Sequence, residues 1–385
     1  MRFHVVALPH TATNKLYSHC AYTQKVLNFC HMMRSLGHRV FHYGVEGSQV
    51  DCDEDVTVLT REEQEQFFGE YGPNRLPPAK FEWNQPYWVT MNTRAGSEIN
   101  KRLERGDFLC LIAGLAQQPI ANAVGESKCI TVEYGVGYYG VFSKFRVFES
   151  YTHQSAVYAS CKPFDPDGAL YDAVIPNSYD PDDFPFVLKL RDNSLLYLAR
   201  VLRRKGILTA VAVAQAAQVP LIVAGQGVVE FGPNYLRNEE GILIEHGGFV
   251  EYVGSVQPAQ RAILLGKVRA LIQPTVFMEP FGGNVVEAQF CGTPAITTDY
   301  AAFSETVRHG INGYRCHTLE QFVWAVEAVK ELKSGMIHHI ADSNYSIWRV
   351  RDMYQEYFDQ LHDLWDAGWP TLRPRRQLDW LVKQQ

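Results

Sequence analysis

Apolar runs and polar turns alternate along the chain with periods that predict strands and helices in turn. RFHVVAL (2–8) is a continuous apolar run and reads as a buried parallel strand. The polar loop PHTATNKLYSH follows. In AYTQKVLNFCHMMRSLGH, Val26, Leu27, Cys30, Met33 and Leu36 fall near helical spacing. Gly37 suits a C-cap, and RVFHYGV (39–45) is the next strand. DFLCLIAG (107–114) and KCITVEYG (128–135) are further strands ending at small residues, with QQPIANAVGE between them as a short helix. Residues 46–104, with DCDED, several aromatics and LPPAKFEWNQP, predict loops and short helices. VIPNSYDPDDF (174–184) reads as a strand and a turn-rich connector, and a domain boundary is placed there.

A second series then begins. SLLYLAR (194–200), PLIVAG (220–225), the end of QRAILLGKVRALIQP and AITT (295–298) read as strands. ILTAVAVAQAAQ (207–218) is an alanine-rich helix, and GILIEHG and FVEYVGSV are short runs between. The tail from about 345, SIWRVRDMYQEYFDQLHDLWDAG, is helical and aromatic and is expected to pack back across the domains. This predicts two doubly wound α/β domains, 1–178 and 185–349, with helices of about 350–385 joined to the first.

Composition narrows the function. At 385 residues the chain exceeds one ordinary core, and 46% hydrophobic with 20% charged content is globular. A net charge of −6 lacks the basic field of a dedicated nucleic-acid binder. The basic runs LRRKG (202–206) and RPRRQ (373–377) read first as a solvated face and tail. The eight cysteines form no CxxC pair, and MRFHVVALPHTATN has no long apolar leader, so reduced, buried thiols in a cytoplasmic protein are expected. No apolar run approaches a membrane span. DCDED (51–55) and DPDD (180–183) contain Asp-x-Asp, but both sit in turn-rich stretches, and no metal is assigned.

Ligands of open α/β sheets bind at the carboxyl ends of strands. The loop LARVLRRKG there carries Arg200 and Lys205, two cations suited to a diphosphate or simply to solvent. AGQGVVEFG supplies Gly225 and Gly227, but Glu230 occupies the third position of a dinucleotide fingerprint, so a glycine turn is the better reading. In FMEPFGGNVVEAQFCGTP (277–294), Gly282 and Gly283 permit close backbone approach, and Asn284 is read as the N-cap of a helix whose N-terminus suits an anion. Asn284 and Glu287 also have capping-box spacing, and Glu279 alone reads equally as a surface acid.

Taken in order, VIPNSYDPDDF, YLARVLRRKG, LIVAGQG, EYVGSV, QPTVFMEPFGGNVVEAQFCGTPAITTD and GINGY resemble the family-4-type retaining glycosyltransferases of the GT-B fold. The resemblance covers roughly residues 172–316. It implies two Rossmann-like domains facing across a cleft, the first on the acceptor side and the second binding a nucleoside diphosphate sugar. Arg200 and Lys205 would contact the diphosphate, Glu287 the ribose and Glu279 the donor sugar. Phe281, Gly282, Gly283, Asn284, Gly225 and Gly227 would line the donor. The implied reaction transfers a sugar with retention, without metal or further cofactor. The acceptor is unknown, and monomer and homodimer both stay open.

Two departures stand out. The loop after the first strand lacks the family's frequent glycine pair, and Glu133 stands where the family often has a histidine. Glu133 then reads either as orienting acceptor or sugar or as a supporting acid. His10 and His153 are possible neighbours or structural histidines. Alternatives kept open are a sugar-nucleotide epimerase, hydrolase or phosphorylase of the same fold, a transferase acting on modified DNA bases, and a non-catalytic sugar-nucleotide binder.

Overall fold

A computed structural model describes residues 1–366 except 71, 73–78, 126–127, 162, 164–166 and 187–190. The basic run at 373–377 and part of LPPAKFEWNQP lie outside the described residues. Contacts divide the chain into two units, Met1–Ser178 with the chain from Ile347, and Tyr179–Ser346.

In the first unit the elements run β1 (Arg2–Val6), α1 (Ala21–Ser35), β2 (Arg39–Val45), β3 (Glu54–Leu59), α2 (Arg61–Phe68), α3 (Pro86–Arg102), β4 (Asp107–Leu111), α4 (Gln118–Val124), β5 (Cys129–Val136), β6 (Phe145–Phe148), α5 (Tyr151–Ala159) and β7 (Ala173–Val174). The sheet is parallel with order β3-β2-β1-β4-β5-β6-β7. Its strands β2, β4 and β5 are almost wholly buried, as sheets covered on both faces require.

The stretch 46–104 corrects the expectation of loops and short helices. It holds β3, the capping-box helix α2 and the 17-residue helix α3. The buried face of α3, with Trp88, Met91, Ala95 and Ile99, repeats at helical spacing, and packing secures it despite Gly96. VIPNSYDPDDF is also corrected: its strand is the two-residue β7, and Asp180 accepts from the Asp182 amide to cap a 3-10 turn at Pro181–Asp183.

The second unit runs β8 (Leu195–Leu198), α6 (Ile207–Ala217), β9 (Leu221–Ala224), β10 (Val228–Phe231), β11 (Tyr235–Asn238), β12 (Leu243–Glu245), β13 (Val250–Gly254), α7 (Pro258–Lys267), β14 (Ala270–Gln273), α8 (Gly283–Phe290), β15 (Ala295–Thr298), α9 (Phe303–Thr306), β16 (Gly313–Cys316), α10 (Leu319–Ala328) and α11 (Ser334–Tyr345). Its main sheet, β13-β9-β8-β14-β15-β16, is parallel, and β10, β11 and β12 form a separate antiparallel meander. In both sheets the strand order reverses beside the first strand of the unit, between β1 and β4 and between β8 and β14. Loops diverge at such a reversal and leave a crevice.

The last described helix, α12 (Ile347–Asp366), belongs to the first unit and packs on α1. Phe358 is fully buried there, with its ring centroid 4.8 Å from Phe3, 4.9 Å from Phe108 and 5.8 Å from Phe29. All eight cysteines are free thiols, six of them buried. Among the described residues no helix is long and apolar enough to cross a membrane.

Candidate functional site

The reversal in the second sheet holds the basic loop. After β8 the chain turns through Arg200 and a 3-10 turn at Arg203–Lys205 before Gly206 opens α6. Tyr197, fully buried on β8, donates its hydroxyl to the carbonyls of Arg200 at 2.9 Å and Lys205 at 3.3 Å, fixing both ends of the loop. The loop after β14 is tied to the same turn. The amides of Val276 and Phe277 and the Thr275 hydroxyl all donate to the Arg204 carbonyl.

These ties bring the charged groups together. Lys205 Nζ lies 2.5 Å from Glu279 Oε1 and 4.0 Å from the centroid of the Phe277 ring. Both members of the ion pair are largely but not wholly covered. Arg200 projects into solvent and pairs with Glu239.

The start of α8 corrects the cap assignment. Gly282, not Asn284, is the N-cap, at φ 78°, and no side chain caps this helix. A Cβ on Gly282 would collide with the Phe303 ring, so both backbone conformation and space demand glycine. Asn284 instead donates its amide to the Leu198 carbonyl at 2.8 Å and to Gln273 Oε1 at 2.9 Å, tying α8 to the ends of β8 and β14. The helix N-terminus thereby keeps its dipole and donors for an anion beside the basic loop.

The capping-box alternative for Glu287 is not realised. Its carboxylate is buried against Arg261 of α7, and burial pushes its pKa up to about 7 while Arg261 opposes the rise. Phe281 is 3% exposed, stacked with Tyr179 and edge-on to Tyr345, which makes it a packing anchor. Gly225, at φ 146°, lies so close to the Ala199 carbonyl that a Cβ has no room, and the Gly227 carbonyl accepts from the Glu239 amide at 2.8 Å. Both glycines therefore serve contacts within the unit.

In the first unit Glu133 is fully buried. The amides of Phe142 and Ser143 each donate to its Oε2 at 2.8 Å, and the Tyr138 hydroxyl donates to Oε1 at 3.1 Å. The carboxyl thus staples the loop after β5, a positioning task. Burial raises its pKa from 4.5 to about 7, against the pull of those donors. A carboxyl whose pKa is raised by folding stabilises the fold below its ordinary value, and that contribution is lost as pH climbs from about 4.5 through 7. Glu133→Gln is therefore expected to gain on wild type by roughly 1–3 kcal/mol between pH 5 and pH 8. Urea unfolding at the two pH values measures this, and a pH-independent difference contradicts it.

His10 and His153 are both buried, and each has an Nδ1 without a hydrogen-bond partner. His10 Nε2 lies 3.8 Å from Cys20 Sγ. Burial raises the Cys20 pKa, but His10 and Thr23 outweigh it and bring the thiol down to about 7. His153 contacts the Tyr138 carbonyl through Nε2, and burial lowers its pKa to about 4. Lys25 and Glu149 form a buried ion pair near these groups that the sequence reading missed. Their partners lie 124 positions apart along the chain, and no local spacing announces them. Arg261 and Glu239 escaped notice for the same reason.

Asp-x-Asp chemistry is engaged elsewhere. Asp51 pairs with His31, Asp53 with Arg34 and Asp55 with His42. Among the described residues no group of three or more His, Cys, Asp or Glu could hold a metal ion.

Each of the two units is a parallel α/β fold, and the second places a basic loop, an acid and an uncapped helix at one strand-order reversal, where ligands of such sheets bind. Residues 179–343, nearly the whole second unit, match the family model "Glycosyl transferases group 1". The phosphatidyl-myo-inositol mannosyltransferase of Mycobacterium leprae (strain TN) is 32% identical over 96 residues. That match spans 25% of this chain and only 24% of the relative's length. Two solved structures resemble nearly the whole chain, and with them it shares the GT-B fold. AviGT4, a glycosyltransferase involved in avilamycin A biosynthesis, is 18% identical with a TM-score of 0.62, covering 94% of this chain and 98% of that one. Anabaena HepE in complex with UDP-glucose is 13% identical, also with a TM-score of 0.62, covering 94% and 100%.

Proposed function

We propose that the chain is a glycosyltransferase that moves a sugar from a nucleoside diphosphate sugar to an acceptor hydroxyl with retention of configuration and without a metal ion. The observation that carries this reading is the Lys205–Glu279 contact beside Arg200 and the uncapped start of α8. Cations and helix amides on one edge offset charge that develops on a leaving diphosphate. An acid beside them suits the hydroxyls of the donor sugar. In this reading the acceptor oxygen attacks the anomeric carbon from the leaving-group face as the bond to the diphosphate breaks. The acceptor proton passes to a diphosphate oxygen. Glu287 takes the ribose, with Arg261 fixing its carboxylate.

The acceptor is assigned to the first unit. Leu16, Phe81, Leu115 and Tyr139, on segments beside the carboxyl ends of its strands, are exposed large apolar groups. The free thiols support a cytoplasmic setting. Because HepE is described in complex with UDP-glucose, uridine nucleotides come first in a donor panel.

The test mixes the full chain with UDP-, GDP- and ADP-sugars, with and without EDTA, and follows melting temperature and donor turnover. Protection by one donor and slow hydrolysis unaffected by EDTA are expected. No binding by any sugar nucleotide defeats the proposal. Product analysis separates it from the other readings: a new α- or β-glycosidic bond, an epimerised sugar, a sugar phosphate, a glycosylated DNA base, or binding without turnover.

A further inference from the structure

The connection between β9 and β13 is unusual for its position. The two strands are hydrogen-bonded parallel neighbours, and such a crossover is ordinarily a helix. Here it is the meander β10–β11–β12. Leu236 and Ile244 seat the meander in the core of the second unit. This leaves the turn after β11, Glu239-Glu240-Gly241, beside the basic loop.

That turn is held from several sides. Asn238 is fully buried and donates its side-chain amide to the Val201 carbonyl at 3.1 Å and to Glu240 Oε2 at 3.0 Å. Its Oδ1 accepts from the Ile242 amide at 2.9 Å. The Glu239 amide donates to the Gly227 carbonyl at 2.8 Å. Fixed in this way, the turn presents two carboxylates to one face of the loop. Glu239 pairs with the Arg200 guanidinium, and Glu240 accepts the Arg203 backbone amide at 2.6 Å. Both Arg200 and Glu239 are exposed enough for an incoming ligand to reach them.

We infer that Glu239 is a resident counter-ion of the diphosphate site: it holds Arg200 when no nucleotide is bound and gives it up to the diphosphate. The inference rests on the donor reading of Arg200. A carboxylate in this place does two things. It keeps the long Arg200 side chain near its working position, and it competes with the phosphate oxygens for the same guanidinium. Competition raises the dissociation constant of donor and of nucleoside diphosphate product alike, so Glu239 favours product release. Glu240 is different in kind, because it grips a backbone amide that no diphosphate needs to displace; it shapes the loop.

The experiment uses the full chain and calorimetric titration with UDP, GDP and ADP. Wild type first identifies the diphosphate that binds; if none does, the donor reading fails, and this inference falls with it. With a binding diphosphate in hand, Glu239→Gln is expected to lower its dissociation constant about three- to tenfold, consistent with loss of an exposed competing pair and of a nearby like charge. The product-inhibition constant should fall by the same factor, while the nucleotide-free melting temperature stays within about a degree or two. Glu230→Gln, on β10 and paired with the neighbouring Arg237 and Tyr235, serves as the control and should leave both constants unchanged. Unchanged binding in Glu239→Gln overturns the inference. Weaker binding also overturns it, since it makes Glu239 a support for Arg200 and not its competitor.

Discussion

Glu279→Ala is expected to reduce turnover about 10²–10³-fold, the range for loss of one preorganised polar group at a reacting centre. The chain should remain folded, because the pair Glu279 makes with Lys205 is still partly reached by solvent. On the proposed reading two functions are lost together in this variant: the hydroxyl acceptor for the donor sugar, and the partner that aims Lys205. Glu279→Gln separates them. The amide still accepts a hydroxyl but no longer holds an ammonium by charge, so an intermediate loss is expected, falling on turnover more than on donor affinity. Steady-state kinetics beside a thermal melt reads both. Wild-type turnover in Glu279→Ala removes this residue from the site.

Phe358→Ala is expected to destabilise the first unit by about 3–5 kcal/mol, the range for truncating a fully buried aromatic ring. The ring sits among Phe3, Phe29 and Phe108, so its removal leaves a void bounded by the central strands β1 and β4 and by α1. Trp348→Ala, at the exposed start of the same helix, should cost under about 1 kcal/mol. Denaturant unfolding of the two variants measures the contrast. Equal, small losses would mean that the helix rests on the unit without closing its core.

The parallel strands were legible in the sequence because burial on both faces gives continuous apolar runs, as in RVFHYGV and SLLYLAR. The meander was not. Its strands are three or four residues long, and only alternate positions such as Leu236 and Ile244 turn inward, too few to show a period. The site divides in the same way. Lys205 and Glu279 stood out because each lies at a strand end in a loop of recognisable order. The cap of α8 was misassigned to Asn284 because side-chain preference favours asparagine, whereas the Phe303 ring against Gly282 decides the matter and is remote in sequence. Glu133 carried no sign of its task, since its strongest partners are backbone amides that any residues at 142 and 143 would supply.

The placement of α12 has a consequence in time. A ribosome releases residues in order, and domains fold as units once their parts are available. The second unit is one continuous segment, with Tyr179 paired to Ser346 where it begins and ends. It can finish folding as soon as it has emerged. The first unit cannot, because Phe358 is missing from its centre until the second unit has been made. Of these two units, the one begun first is therefore completed after the other, and until then the apolar rings of Phe3, Phe29 and Phe108 lack the partner that covers them.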